Sequence, residues 1–169
     1  MQHEIRTIRP DELEDLERVA SKVWHQSYDV LLGPEQVDYM LDMFQNQKAF
    51  REQINSGYIY RGMYANGELV GYTGSVVEEV GRVFLSKLYI LEEYRNHGFG
   101  RQMINDVIHI HDGCDSVYLT VNKKNPVRKM YEYMGFKIVK SVVTDIGEGY
   151  VMDDYVMQWD ISGTSEEDE

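Results

Sequence analysis

The segment Arg95-Asn96-His97-Gly98-Phe99-Gly100-Arg101 carries residue types from which a phosphate site can be built. Glycines at a helix start let the backbone approach a ligand, and the first N–H groups of that helix, aided by its dipole, attract an anion. Met103, Ile104, Val107 and Ile108 follow at helical spacing, which puts Gly98 and Gly100 at such a start. A diphosphate suits the place, although the same pattern also fits a helix start that only needs tight packing. Two familiar nucleotide fingerprints are excluded. Met103 stands where G-x-G-x-x-G needs its third glycine, and no Gly-Lys-Ser/Thr completes a Walker A loop.

Other chemistries are bounded by composition. Cys114 is the single cysteine, so no internal disulfide and no cysteine-rich metal site can form. With no His/Asn signature around it, it reads as a bystander thiol rather than a nucleophile. His109 and His111 are two residues apart and cannot share a helix face, so no metal site is expected. The formal net charge of −12 argues against nucleic acid and favours cationic partners. Against that background, Arg95 to Lys129 holds six Lys/Arg and three acids, a locally positive window in an acidic chain. No apolar run approaches the ~20 residues that cross a bilayer, and the first residues do not resemble a secretory signal, so a cytoplasmic protein is expected.

The elements that must position these residues are legible from their periods. Ile5 to Arg9 alternates as a strand, and Asp11 with Glu14 three residues on predicts a capping box. Leu13, Leu16, Val19, Ala20, Val23 and Trp24 then mark the inner face of a helix. After Gly33-Pro34, a second helix is expected over Val37 to Phe44 and a further piece around Phe50 to Ile54. From Tyr58 the period becomes that of strands. Tyr58–Ala65 and Glu68–Val77 flank Asn66-Gly67, a two-residue hairpin turn, and Arg82 to Ile90 is apolar on both faces, as an interior strand is. Ser116–Val121 is another strand, Pro126–Tyr133 a helix stopped by Gly135, and Lys137–Asp145 with Tyr150–Ile161 a closing pair. One domain over 1–161 and a disordered acidic tail over 162–169 are expected.

Leu88-Tyr89-Ile90, followed by Tyr94 and Arg95-Asn96-His97-Gly98-Phe99-Gly100, resembles the signature of the GNAT superfamily of N-acetyltransferases. That signature is Arg or Gln, two residues, Gly, one residue, then Gly or Ala, directly after the fourth strand; Arg95, Gly98 and Gly100 match it. A second feature, an Asn-containing segment leading to Tyr-x-x-x-Gly-Phe, recurs as Asn125, Tyr131, Gly135 and Phe136, with Asn125 six residues before the Tyr where the family has seven. The resemblance runs from Ile5 to Ile161. It implies an α/β (α+β) GNAT fold: a mixed, mostly antiparallel sheet of about seven strands flanked by about four helices.

It also implies acetyl-CoA as cosubstrate and no metal. Leu88, Tyr89 and Ile90 would pair with pantetheine, Arg95 to Arg101 would hold the diphosphate, and Asn122 and Asn125 would lie along the cofactor. Arg128, Lys123 or Lys124 would reach the 3′-phosphate. An amine would attack the thioester directly in a ternary complex, Tyr131 protonating the leaving sulfur. Its phenol, with an ordinary pKa of about 10, is matched to that task. Glu78 and Glu79 are candidates for the base by position, or else solvated acids at a hairpin end. His25 and Tyr28 would lie near the acceptor side, although His25 reads first as a packing residue at a helix end. Asp153 and Asp154, in a chain that looks like polyamine acetyltransferases of the Pai type, point to spermidine, spermine or another small cationic amine. Protein N-terminal or lysine amines, aminoglycosides and a non-catalytic acyl-CoA-binding regulator are the alternatives, and pairing as a homodimer is compatible with the family.

Overall fold

The structure is a computed structural model in which residues 2–161 are described. Its framework is one sheet built from β1 (His3–Thr7), β2 (Ile59–Ala65), β3 (Glu68–Glu79), β4 (Arg82–Ile90), β5 (Ser116–Asn122), β6 (Lys137–Gly147) and β7 (Tyr150–Asp160). The spatial order is β1-β2-β3-β4-β5-β7-β6. Every neighbouring pair is antiparallel except β4 and β5, which run parallel. Two hairpins turn on two residues at positive φ: Asn66 (52°) with Gly67 (83°), and Glu148 (53°) with Gly149 (80°). That backbone twist matches the twist of the strands it joins. The second turn is therefore tighter than the four residues expected from sequence, because β6 continues through Gly147.

The helices are α1 (Leu13–Leu32), α2 (Pro34–Phe44), α3 (Gln47–Asn55), α4 (Phe99–Ile110) and α5 (Arg128–Met134). The described residues thus hold five α-helices where about four were expected. The stretch around Phe50 becomes a full helix because Asn46 caps it, its Oδ1 accepting the Ala49 N–H at 2.8 Å, and because Phe50 is wholly buried. The start of α1 also differs from expectation. Residues Pro10–Glu12 form a 3₁₀ turn, and the capping carboxylate is Glu12, not Glu14. Glu12 accepts the Arg9 N–H at 3.0 Å, the Arg6 guanidinium at 2.9 and 3.0 Å, and the Tyr64 hydroxyl at 3.0 Å. A carboxylate that ties β1, β2 and the helix entry together outcompetes one that could cap only its own turn. The expected tail, 162–169, lies outside the described residues.

Alternation along β5 separates the two faces. Val117, Leu119 and Val121 join Ile104 and Val107 of α4 and Tyr131 of α5 in one cluster, so α4 and α5 cover that side. On the other side α1 lies over β3 and β4. A chain of aromatic contacts fixes it there: Trp24 to Tyr28 (4.8 Å) and Tyr89 (5.4 Å), Tyr89 to Tyr72 (5.5 Å), and Phe50 to Tyr60 (5.3 Å). Across the first side, Arg61 of β2 grips Asp106 of α4 through two bonds of 3.0 and 2.7 Å.

Two stability outcomes follow. Asp106→Ala leaves the little-exposed Arg61 cation without its partner and should lower the unfolding free energy by about 2 kcal/mol in urea titrations, whereas replacing both residues with leucine should cost less. Hydrogen bonding from Arg6 first, then from the Arg9 backbone and Tyr64, outweighs burial and holds the Glu12 carboxyl down at about 2, from 4.5. Its stabilisation is therefore complete above about pH 4.5 and lost as pH falls through 2. The urea midpoints of wild type and Glu12→Gln should differ at pH 7 and converge near pH 2.

Candidate active site

β4 and β5 pair only at Arg82–Ser116, Val83–Val117 and Phe84–Tyr118. Beyond that point they part. The cause lies on the other edge of β4: Gly74 of β3 pairs with Lys87 and Ser75 with Leu85, which leaves Ser86 as an extra residue and bends β4 away. β5 meanwhile stays paired with β7 as far as Asn122–Asp154. The N–H and C=O groups of β4 from Leu85 onward thus face a gap rather than a partner strand. This gap is a cleft of about 540 Å³, walled by Leu85, Leu88 and Ile90 on one side and Leu119 and Val121 on the other.

The cleft is closed at one end by the glycine-bearing loop. Gly98 has φ 77°, a left-handed conformation cheap only for glycine, and precedes α4. The first intrahelical bond there runs from Gln102 N–H to Gly98 C=O at 3.2 Å. The N–H groups of Phe99, Gly100 and Arg101 consequently have no acceptor within the helix. No heavy atom lies within 4 Å of where a Gly98 Cβ would be, while a Gly100 Cβ would meet Met130 Sδ at 3.2 Å. An open cradle of unpaired donors with helix-dipole polarity fits a diphosphate. α1 holds this loop in place: Gln26 accepts the Glu92 N–H at 2.9 Å and donates to Glu93 at 2.8 Å, Lys22 pairs with Glu93 at 3.0 Å, and Ser27 Oγ accepts from Arg95 at 2.9 Å.

At the other end α5 supplies Tyr131, a buried tyrosine that lines the cleft. Among the described residues its hydroxyl has no hydrogen-bond partner. Burial, then the neighbouring Tyr28, pushes its pKa well above 10, so the phenol is a neutral proton donor throughout the physiological range. Tyr28 of α1 crosses the cleft, its hydroxyl accepting from Asn125 Nδ2 at 3.3 Å, while Asn125 Oδ1 accepts the Val127 N–H at 3.0 Å. The shorter Asn125–Tyr131 spacing is thus absorbed in a tight turn, with Asn125 still lining the cleft.

Of the residues singled out in the sequence, Leu88, Tyr89, Ile90, Arg95, Asn96, Gly98, Phe99, Gly100, Arg101, Asn125, Tyr131 and Tyr28 line this cleft together. His97 is exposed beside it and packs at 5.7 Å on Phe99. Asn122 does not line the cleft; its Oδ1 accepts the Lys124 N–H at 2.9 Å in the turn after β5. Arg128 lies outside the cleft wall, over the Tyr155 ring at 5.3 Å and paired with Glu132 at 3.2 Å, with its buried Nε unpartnered. Glu78 accepts the Tyr118 hydroxyl next to the last paired couple of β4 and β5, and Glu79 pairs opposite Arg82 at the far end of β3; neither lines the cleft.

His25 is not there either. It sits in a separate acidic groove between α1 and α2, with Asp29 at 2.7 Å and Asp38 at 2.9 Å. Burial pulls its pKa down, but the hydrogen bonds and charge of these two carboxylates prevail and raise it. The histidine staples two helices. Asp153 is exposed and bound to Lys123 at 2.9 Å, whereas Asp154 is buried. Among the described residues no three His, Cys, Asp or Glu gather as metal ligands, and no helix is long and apolar enough to cross a membrane.

Sequence reasoning missed Ser27 and Gln26, whose role depends on where α1 lands, and the Ser86 bulge, which only the pairing of β4 with β3 reveals. Tyr28 on α1 and Asn125 after β5 are 97 residues apart, and no local pattern could pair them.

Comparison with known proteins agrees with this geometry. A Mycobacterium tuberculosis protein named a probable N-acetyltransferase is 27% identical over 142 residues, 79% of each chain. A spermidine N(1)-acetyltransferase of Thermoplasma acidophilum is 25% identical over 146 residues, covering 82% of this chain and 90% of that protein. The solved PaiA N-acetyltransferase of Thermoplasma acidophilum, in complex with coenzyme A, superposes with a TM-score of 0.80 at 21% identity, over 95% of this chain and 99% of that one. The family model described as acetyltransferase (GNAT) domain matches residues 31–152, which takes in the bulged strand, the glycine cradle and Tyr131. With more than two thirds of its length so matched, the chain belongs to the GNAT family of acetyltransferases, enzymes that take their acetyl group from acetyl-CoA.

Proposed function

We propose that this enzyme transfers the acetyl group to a primary amine of a polyamine, such as spermidine or spermine, or of another small cationic amine, in the cytoplasm. The observation that carries the reading is the parted strand pair with a diphosphate cradle at one end and an unpartnered Tyr131 hydroxyl at the other. Exposed edge groups of Leu88 and Ile90 would align pantetheine as a further strand would be aligned, and a backbone N–H near Ile90 would polarise the thioester carbonyl. Phe99, Gly100 and Arg101 N–H groups, with Arg95, would hold the diphosphate, and Lys123, Lys124 and Arg128 would flank the 3′-phosphate. Attack by the amine is direct, in a ternary complex. Tyr131 donates its proton to the departing sulfur, which avoids expelling a bare thiolate into an apolar cleft. Support for a cationic acceptor comes from the net charge of −12, from the buried Asp154 whose charge reaches Tyr28, and from the likeness to a spermidine N(1)-acetyltransferase.

A thiol-release screen over spermidine, spermine, diamines, lysine peptides and aminoglycosides tests the acceptor class. Turnover confined to lysine peptides would overturn the polyamine reading. Tyr131→Phe should lower kcat roughly 100-fold, within the range general acids contribute, while acetyl-CoA still raises the melting temperature. Gly98→Val forces a branched side chain into left-handed φ and into the cradle. The ligand stabilisation of about 2.7 kcal/mol expected at 100 times Kd should then largely disappear in a thermal-shift titration.

A further inference from the structure

One proton in the proposed transfer has no recipient. An alkylamine arrives as an ammonium at neutral pH and must lose a proton before its lone pair can attack, while Tyr131 serves the sulfur instead. The recipient should lie on the face of the sheet turned away from α4 and α5, since those helices and the glycine loop occupy the cofactor's side.

On that face Tyr118, Thr120 and Asn122 alternate with the inward residues of β5. Thr120 lines the cofactor cleft and is exposed although β5 is an interior strand, so this face is open there, as a furrow continuous with the cleft. Thr120 pairs with Val156 of β7 and Asn122 with Asp154. Residues directly opposite share a face. Asp154 therefore stands at the inner end of the furrow, about 7 Å along from the open floor at Thr120.

That inner end is enclosed. Tyr39 of α2 donates to Ile146 C=O at 2.6 Å and packs on Tyr150 at 5.1 Å, and Gln36 donates to Val151 C=O at 3.1 Å, so α2 and the β6–β7 hairpin clasp each other above it. Asp154 is only 8% exposed, and among the described residues no donor reaches its carboxylate. The groups that act on it are few. From α1 the Tyr28 hydroxyl feels its charge; from β7 and the end of β5, Asp153 and Lys123 bind each other at 2.9 Å; its β6 partner, Val142, is apolar. Burial first, then Asp153, partly offset by Lys123, raises the Asp154 carboxyl from 3.8 to about 6. A buried carboxylate without a donor, whose charge reaches a tyrosine that lines the cofactor cleft, is arranged to receive a cation.

We propose that Asp154 takes the acceptor ammonium at the inner end of this furrow and accepts its proton, a role that rests on the acetyltransferase reading above. Asp154 removes one proton, the nitrogen lone pair forms the C–N bond to the thioester carbonyl carbon, and the C–S bond breaks with its electron pair on sulfur. Sulfur takes the Tyr131 proton, the second nitrogen proton restores Tyr131, and Asp154 releases its own to solvent. The sum is one amide, one free thiol and one proton.

The test compares wild type, Asp154→Asn and Asp154→Glu with spermidine at saturating acetyl-CoA, from about pH 5.5 to 10. Asp154→Asn should bind acetyl-CoA normally by thermal shift and lose about 100-fold or more in kcat at pH 7. It should recover toward pH 10, where neutral amine is abundant, and Asp154→Glu should retain part of the activity. A readout independent of turnover is the melting temperature without ligand. Because the folded-state pKa is raised, the contribution of Asp154 to stability is greatest below about 4 and declines as pH rises to about 6, so Asp154→Asn should melt higher than wild type at pH 8 but not at pH 4. An Asn variant with an unchanged kcat and pH profile and a raised KM alone would overturn the role and leave Asp154 as an anchor, and lost acetyl-CoA binding in that variant would overturn it in favour of a structural one. Wild type that acetyl-CoA does not stabilise would remove the acetyltransferase reading itself, and this role with it.

Discussion

A parallel strand pair that separates inside a sheet leaves two rows of backbone N–H and C=O groups facing one gap, a cost folded proteins rarely carry without use. Here the separation is built in by one extra residue, Ser86, on the edge of β4 opposite to the gap. β3 keeps its hydrogen bonds on either side of the bulge, and β5 keeps its own with β7. The bend is thus held from both flanks and does not relax. An extended ligand with amide groups is the complement of such a gap, and Leu85, Leu119 and Val121 give it apolar walls.

α1 does more for the site than its sequence suggests. Its inner face carries the aromatic contacts that fix β4, and its last two turns carry Gln26, Ser27 and Tyr28, which reach the glycine loop and Asn125 respectively. One helix therefore sets the distance between the diphosphate cradle and the reacting end. The hydroxyls of Tyr28 and Tyr131 are both raised in pKa, chiefly by burial, so they are donors and neutral dipoles rather than charges. A cleft with apolar walls and neutral donors suits the proposed reaction, in which charge develops on the carbonyl oxygen as the amine attacks and on sulfur as it departs.

The acidic and basic parts of the chain are divided by position. Of the cations between Arg95 and Lys129, Arg95 and Arg101 line the cleft at the glycine loop, and Lys123, Lys124, Arg128 and Lys129 lie between the end of β5 and the first turn of α5. Most of the acids lie elsewhere, including the groove between α1 and α2 where His25 is clamped. Lys87 is buried at the bulge and donates to Gln53 at 2.8 Å, and burial lowers its pKa to about 8.

The order and type of nearly every element, the two-residue turn at Asn66-Gly67, the helix start at Gly98 and the place of Tyr131 on the helix after β5 were legible in the sequence. Each is a local matter: periodicity, glycine conformational freedom and motif spacing act within a dozen residues. What tertiary structure alone decided was where distant segments meet. It placed Tyr28 on Asn125, moved His25 out of the site into a pair of carboxylates, turned Glu78 toward Tyr118, and separated adjacent Asp153 and Asp154 into an exposed ion pair and a buried, donorless carboxylate. Neighbours on a strand point to opposite faces, so identical side chains side by side meet different solvents, and only the packing of the sheet between its helices determines which one is buried.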